Sequence, residues 1–599
     1  MIKLIISIIY FFLLITGLGY SISYLFKIKF NNIWEQIIMI LGFGLGIFPI
    51  LSSFIGILHI TIHWLIFLLI SMIIPIYSLV KKKYEISKWE YDKFAIITVF
   101  LSILYLSIFL IGTLGYSHLP DDDPYEEALT IKYLAQEKTI YETNTFDVRY
   151  IDTYTPSYYI LLSLTYQINN TMIPNLKIFN CLIIALGLLF FYFFAVEFFK
   201  DKQKAALASF VVLILPCFMS NFPWAQSLAV VLFFPALYCL EKGYKILSML
   251  IIASILVTQP SCAFIFLVLA GIYAIFKDYK LLLPISGGVL LSGIVYWFPM
   301  VFLKGIPSTL EGIGFSTGLI SNAGVGNDTS GGIIYGLKDF IFALPYGRMD
   351  QAIGFGPVIF LLVLFSIILL VINYKKIDRN ILITISWFIF CLVATEGNAL
   401  PYKLFPHRFW VFLSIPVILL TVYGISIILD SVNSNILKSC ILGFLIIVIT
   451  LTSGMPKFQM QSSVWPAGVD LQNSEEISLF TWMDDNLIKN SNVFQFGMTN
   501  DRYVIAFDMD SNSWDDNVVE FRKNMTTKNL EDIYTFLTSN NYTYIIFNNM
   551  GQRRMVNDYG MNETAEFFGR LNSELQQTNK FILAYQNNAG IILQPIYID

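Results

Sequence analysis

A chain of 599 residues that is 56% hydrophobic, 16% aromatic and only 13% charged is not a soluble globular protein, because such domains carry about 25% charged residues. The charge is uneven: residues 454–599 hold 18 acidic and 10 basic side chains, whereas the first 453 hold 24 and 28. A strongly basic face is absent, which excludes nucleic acid as a partner. The six cysteines (Cys181, Cys217, Cys239, Cys262, Cys391 and Cys440) lack metal-ligand spacing, which excludes a disulfide framework or a zinc site.

In chain order, apolar runs fall at 4–26, 33–57, 60–80, 94–115, 175–199, 205–222, 223–241, 246–258, 260–276, 281–303, 353–372, 380–396, 409–429 and 437–453. Most approach the ~20 residues that cross a hydrocarbon core as a helix, which predicts a polytopic α-helical membrane protein of about 14 spans. The first run has no small-residue cleavage site and is followed at once by further runs, so it reads as a first transmembrane helix. Short basic connections occur at Lys81 to Lys83, Lys200 to Lys204, Lys242 to Lys245, Lys277 to Lys280 and Lys375 to Arg379. Such loops stay on the cytoplasmic side. Alternation then puts 116–174, 304–352, 397–408 and everything after 453 outside. Sequons at Asn169, Asn327, Asn524, Asn541 and Asn562 all fall in those external segments.

Three regions are expected: an N-terminal extension of three spans (1–93), a transmembrane core (94–453) and a small extracellular α/β domain (454–599). The first external loop carries nine acids against three bases up to Ser157. The apolar segment after Thr155 is too short for a span, and its tyrosines Tyr158, Tyr159 and Tyr166 suit the membrane interface. The second external loop is rich in Gly, Ser and Asn around GVGNDTSGG, a composition for a flap. In the tail, EEISLFTWMDDNL and LEDIYTFLTSNN have helical spacing. NVFQFGM, YVIAFDM, YTYIIFNN and IILQPIYI read as strands.

Chemistry-bearing residues concentrate outside. Asp121, Asp122 and Asp123 are adjacent carboxylates that can bind a divalent cation (Mg or Mn) through oxygen. One can also act as a base, since crowded like charges raise pKa values. Asp123-Pro124 with Glu126 equally fits a helix start, with Asp123 as N-cap. Lys403, His407 and Arg408 stand at the external mouth of a span, where lipid phosphates sit. Arg binds phosphate through a planar fork, although an Arg at a helix end also snorkels. Glu396 ends an apolar span, where a carboxylate is costly unless it faces a cavity or a partner. His59 and His63 read as interfacial packing.

The order of these features resembles the GT-C superfamily of membrane glycosyltransferases, which includes oligosaccharyltransferase catalytic subunits, protein mannosyltransferases and aminoarabinose transferases. Asp123-Pro124-Tyr125 with Ala128 and Leu134 is similar to the first-loop motif, in which an Asp is the catalytic base or a metal ligand. Tyr154-Thr155-Pro156-Ser157-Tyr158-Tyr159 resembles the stretch that ends that loop. Thr258-Gln259-Pro260-Ser261 resembles a helix-breaking element between middle spans, with Gln259 where His is commoner. Trp482 and Tyr544-Ile545-Ile546 resemble parts of the external domain. The Trp-Trp-Asp-Tyr-Gly signature is absent; the tail has Ser513-Trp514-Asp515-Asp516 instead, which disfavours en-bloc transfer to Asn sequons.

The resemblance implies transfer of a sugar from a polyprenyl-phosphate donor to a glycan, lipid or protein acceptor at the outer face of the plasma membrane. Asp123, helped by Asp122 or a metal, would activate the acceptor, and Arg408 with Lys403 or His407 would neutralise the departing phosphate. A flippase or transporter of lipid-linked sugars is the alternative, but transporters place charge near the midplane and show repeats. A non-catalytic surface scaffold would leave the acidic loop without a role.

Overall fold

The computed structural model describes residues 2–83, 86–141, 148, 151, 154–317, 334–345, 352–373, 378–397, 406–497 and 501–597, and each apolar run meets a helix. Among the described residues nine helices are long and apolar enough to cross a membrane: Ile2–Leu25, Ile33–Ile57, Lys93–Thr113, Met172–Phe199, Ala225–Lys242, Pro260–Lys277, Tyr279–Thr309, His407–Asp430 and Asn435–Gln461. Trp64–Val80, Lys245–Leu256, Pro357–Ile372 and Arg379–Thr395 are apolar but shorter.

The short helices have local causes. Lys202–Ile214 stops before Pro216 and Lys245–Leu256 stops before Pro260, because a residue preceding proline is pushed out of the helical region. The carbonyls freed at the first of these ends are satisfied by Lys457, whose buried ammonium donates to Leu215 O at 2.9 Å and Phe218 O at 2.7 Å. A lysine buried in apolar surroundings is tolerated when it finds such acceptors.

Lipid offers little hydrophobic drive for helix association, so close approach of small residues takes over. Helices Ile2–Leu25 and Ile33–Ile57 meet backbone to backbone: a Cβ on Gly19 would lie 1.7 Å from Ile40 O, and one on Gly44 would lie 1.7 Å from Ile15 O.

Three of the basic connections, together with Arg379, gather at one end of the bundle. Lys242 reaches Glu197 at 2.6 Å and Glu35 at 3.1 Å, Lys202 reaches Asp92 at 2.7 Å, and Lys277 reaches Glu241 at 2.9 Å. Arg379 donates to Lys277 O. The C-terminal domain packs on the opposite end, where Lys132 donates to Asn490 Oδ1 at 2.6 Å and Trp514 Nε1 to Glu137 at 3.0 Å. Trp514 is thereby committed to the joint between bundle and domain. The apolar core runs from the bundle into this domain through Phe480, Val493 and Tyr503, and a second cluster around Phe494, Phe496 and Phe567 lies within it.

Two two-residue strands, β1 (Leu344–Pro345) and β2 (Ala352–Ile353), pair antiparallel in the second long loop. The rest of that loop's Gly-rich stretch, 318–333, lies outside the described residues. The domain sheet has β3 (Val493–Gln495), β4 (Tyr544–Asn548), β5 (Phe581–Asn587) and β6 (Gly590–Pro595) in the order β3-β4-β6-β5. β3 is parallel to β4, with Phe494 opposite Ile545, and the other pairings are antiparallel. Trp482 stacks on Tyr585 at 4.6 Å.

Three expectations are corrected. The segment after Thr155 is a helix, Ser157–Asn169, but Tyr158, Tyr159 and Tyr166 are buried against the first bundle helices rather than at the interface. YVIAFDM is a helix, Asp501–Ala506, not a strand. Its residues from Tyr503 to Phe507 are all buried, and a run buried on every side carries no periodicity to separate the two. Asn169 is buried and donates to Ser7 and Asn175, so that sequon presents no acceptor at the surface. His59 stacks on Tyr141 at 4.4 Å and His63 caps the helix that begins at Trp64.

Candidate active site

Helix Asp123–Glu137 begins at the end of the bundle that faces the domain. Its N-cap is Asp122, not Asp123, which is the first helical residue with Pro124 second. Asp122 makes no capping bond to the helix. Its carboxylate turns to the C-terminal domain instead: Tyr503 Oη donates to Oδ1 at 2.9 Å and Val469 N donates to Oδ2 at 3.2 Å. The close approach requires Gly468, where φ is +105° and a Cβ would lie 2.2 Å from Asp122 Oδ1. Burial pushes the Asp122 carboxyl up, opposed by the Arg502 charge and the two hydrogen bonds.

Arg502 organises this contact. It pairs with Glu126 of the first-loop helix and with Asp470 at 2.8 Å, and its Nη2 donates to Tyr503 Oη at 3.1 Å. Tyr125 packs against the Tyr503 ring at 4.5 Å. Asp121 has left-handed backbone (φ 58°), donates its N–H to Pro466 O and accepts from Asp122 N at 2.9 Å. Two of the three aspartates are thus engaged, Asp121 with its neighbour's N–H and Asp122 with Tyr503 and Val469, while Asp123 opens the helix. Among the described residues no group of three or more His, Cys, Asp or Glu is arranged to hold a metal ion. Asp121, Asp122 and Asp123 do not form such a group.

Inward from Asp123, one turn along the same face, Glu127 is buried. Its charge acts on Tyr154, whose hydroxyl burial pushes up to about 12 against the pull of the Arg408 guanidinium and a hydrogen bond with Gln259. Arg408 stands where three helices begin. Its Nη1 donates to Ser261 Oγ at 3.4 Å at the start of Pro260–Lys277, and its guanidinium lies 5.9 Å from the ring of Trp224, the N-cap of Ala225–Lys242. Its own helix starts at Pro406. Helix N-termini carry partial positive charge, so this corner suits an anion. Gln259 caps its helix by accepting from Cys262 N at 2.7 Å and fixes Ser261 at 2.7 Å. Tyr296 Oη donates to Tyr154 O, which holds the end of the first loop here.

His407 lies beside Arg408 in the first turn of the same helix. Lys403 lies outside the described residues. Glu396 C-caps Arg379–Thr395 and accepts a backbone hydrogen bond from the Tyr335 segment. That segment packs on Trp410, with Tyr335 at 5.2 Å and Phe340 at 4.8 Å. The sequence reading missed Arg502, Tyr503, Gly468 and Glu127. A "DRY" at 501–503 inside an apolar run was the only trace of the first two.

One pH effect follows from the joint between bundle and domain. Asp508 accepts from Met172 N at 2.6 Å and lies 3.3 Å from Lys489, yet burial pushes its carboxyl from 3.8 up to about 6. A raised carboxyl pKa means the fold holds the proton more tightly, so this contribution is present below about pH 4 and lost as pH rises through about 6. It amounts to roughly 3 kcal/mol at most. Asp508→Asn keeps the acceptor for Met172, and its Tm should fall less than the parent's between pH 4 and pH 6.5. Parallel Tm curves would remove Asp508 from the pH response.

No family model matches the sequence, and no curated protein matches it. Among solved structures the chain is similar to an Archaeoglobus fulgidus oligosaccharyltransferase in its apo form, at 11% identity and a TM-score of 0.46, over 75% of this chain and 69% of that one. It is also similar to apo ArnT from Cupriavidus metallidurans, at 11% identity and a TM-score of 0.45, over 83% of this chain and 97% of that one.

Proposed function

We propose that this chain is a GT-C-type glycosyltransferase that moves a sugar from a polyprenyl-phosphate donor to an acceptor at the outer face of the membrane. The observation that carries this reading is the corner at Arg408. Three helix N-termini and a guanidinium meet there, across Tyr154 and Glu127 from the carboxylates that open the first-loop helix. Preorganised positive charge stabilises a departing phosphate, and a carboxylate facing it can take the proton of an attacking hydroxyl. In this reading Asp123 activates the acceptor, Asp122 is held in register by Tyr503, and Arg408 receives the lipid phosphate with His407 and Lys403 nearby. The deciding experiment incubates purified protein in lipid nanodiscs with radiolabelled polyprenyl-phosphate sugars and measures released polyprenyl phosphate. A flippase would move the donor intact and release none.

Two further outcomes are expected. Arg408→Lys replaces a bidentate fork by a point charge and should weaken donor binding by about 1.5–3 kcal/mol, the size of a hydrogen bond to a charged group. Equal donor affinities would mean that Arg408 only snorkels. The basic end of the bundle being cytoplasmic, the C-terminal domain should face outward. Five of the six native cysteines are buried, so Ser573→Cys on the domain's exposed surface should label with a membrane-impermeant maleimide in intact cells. Labelling only after permeabilisation would invert the topology and exclude an external reaction.

A further inference from the structure

A cleft of about 200 Å³ lies at the joint between bundle and domain, lined by Leu114, Tyr116, Ser117, Ile173, Pro174, Lys177, Asp484, Ala506 and Asp508. It is smaller than the roughly 300–1,000 Å³ that takes a drug-sized ligand, which suits a single small ring. The polar wall is built rather than incidental. Lys177 is fully buried, its ammonium donates to Thr113 O and Tyr116 O at 2.7 Å each, and it lies 3.8 Å from the centre of the Tyr116 ring. Facing it, Asp484 and Asp508 are bridged by Lys489, which pairs with both.

The charged groups of the wall are already engaged, Lys177 with two backbone carbonyls, Asp508 with Met172 N and Lys489, and Asp484 with Lys489, so neither a phosphate nor an amine finds an unpaired opposite charge. At the open side of the cleft the partly exposed Asp484 carboxylate accepts and the exposed Ser117 hydroxyl both donates and accepts, a pattern that a hydroxyl of the ligand can use. Leu114, Ile173, Pro174 and Ala506 supply apolar contact, and Tyr116 adds an aromatic ring. The cleft is rigidly tied to the first-loop aspartates along two paths. Residues 114–117 run directly into Asp121–Asp123, and Ala506 is three residues beyond Tyr503 in one helix, about 4.5 Å along its axis.

We infer that this cleft is a subsite for one neutral sugar ring of the acceptor, set beside the reacting centre, which makes the acceptor a glycan. This inference rests on the proposed transferase function. Ligand binding tests it without any turnover. Saturation-transfer NMR of the full-length protein with methyl glycosides of glucose, galactose, mannose and N-acetylglucosamine should give a signal for at least one of them. That signal should fall at least tenfold in Ser117→Trp, which fills the cleft from its exposed rim, and in Asp484→Leu, while inorganic phosphate and ethanolamine leave it unchanged. Both variants should keep the parent's Tm and its affinity for the polyprenyl-phosphate donor. Absence of any glycoside signal, survival of the signal in Ser117→Trp, or displacement by phosphate would overturn the inference. So would a loss of donor affinity in Ser117→Trp, which would give the cleft to the donor's sugar instead. Failure of the transferase reading shows separately, as no polyprenyl phosphate released by the parent protein.

Discussion

Asp123→Asn should abolish sugar transfer while leaving the protein inserted and folded. Loss of a general base removes an interaction made in the transition state, commonly ~10²–10⁴-fold in rate. Asparagine keeps the size and the acceptor oxygen of the side chain. The N-cap is Asp122, and Asp123 is the first helical residue with Pro124 behind it, where an amide fits as well as a carboxylate. Released polyprenyl phosphate measures the rate, and Tm in detergent measures the fold. Activity close to the parent's would transfer the base role away from Asp123. Asp122 is a poorer substitute, since its oxygens already accept from Tyr503 and Val469.

Arg502→Ala should produce the largest change in stability. The guanidinium lies between Glu126 of the first-loop helix and Asp470 of the domain, beside Asp122. Removing it leaves three carboxylates in a half-buried space without a cation, and breaking a buried pair from one side costs about 3–5 kcal/mol. Because the pairs cross from bundle to domain, the loss should appear as undocking. Hydrogen exchange should speed up at 117–126 and 465–470 but not within the sheet of β3 to β6, and transfer should fall with it. Unchanged exchange at 117–126 would mean that apolar packing through Tyr503 and Phe480 holds the joint unaided.

Much of the fold was legible because bilayer physics leaves few options. Runs of apolar residues had to become helices, and the lysine-rich connections had to end on one side, as the Lys242, Lys202 and Lys277 pairs now bear out. The Pro260 element reads as a break between spans, whereas the run 205–222 reads straight through Pro216, where the helix in fact ends at Ile214. The domain was harder to read. Asp501–Ala506 gave no period because it is buried all round, and β5 was overlooked because its exposed edge position leaves only a partial alternation. At the site, single-residue chemistry pointed to Asp123 and Arg408. The contacts that place each of them reach across 381 residues from Asp122 to Tyr503 and 147 from Arg408 to Ser261. Local spacing carries no record of such pairs.

The glycine-to-backbone contact of the first two helices bears on the order of assembly. Ile2–Leu25 and Ile33–Ile57 interlock through Gly19 and Gly44 with nothing later in the chain between them. At a synthesis rate of about 5–20 residues per second, this hairpin is complete roughly 20–70 s before Arg408 leaves the ribosome. Helices Met172–Phe199 and Lys245–Leu256, which supply Phe190 against Gly42 and Ile251 against Gly46, then arrive at a partner already in place. The hairpin is thus available before its later partners are made, and damage to it should reduce how much protein accumulates rather than how fast each finished molecule works.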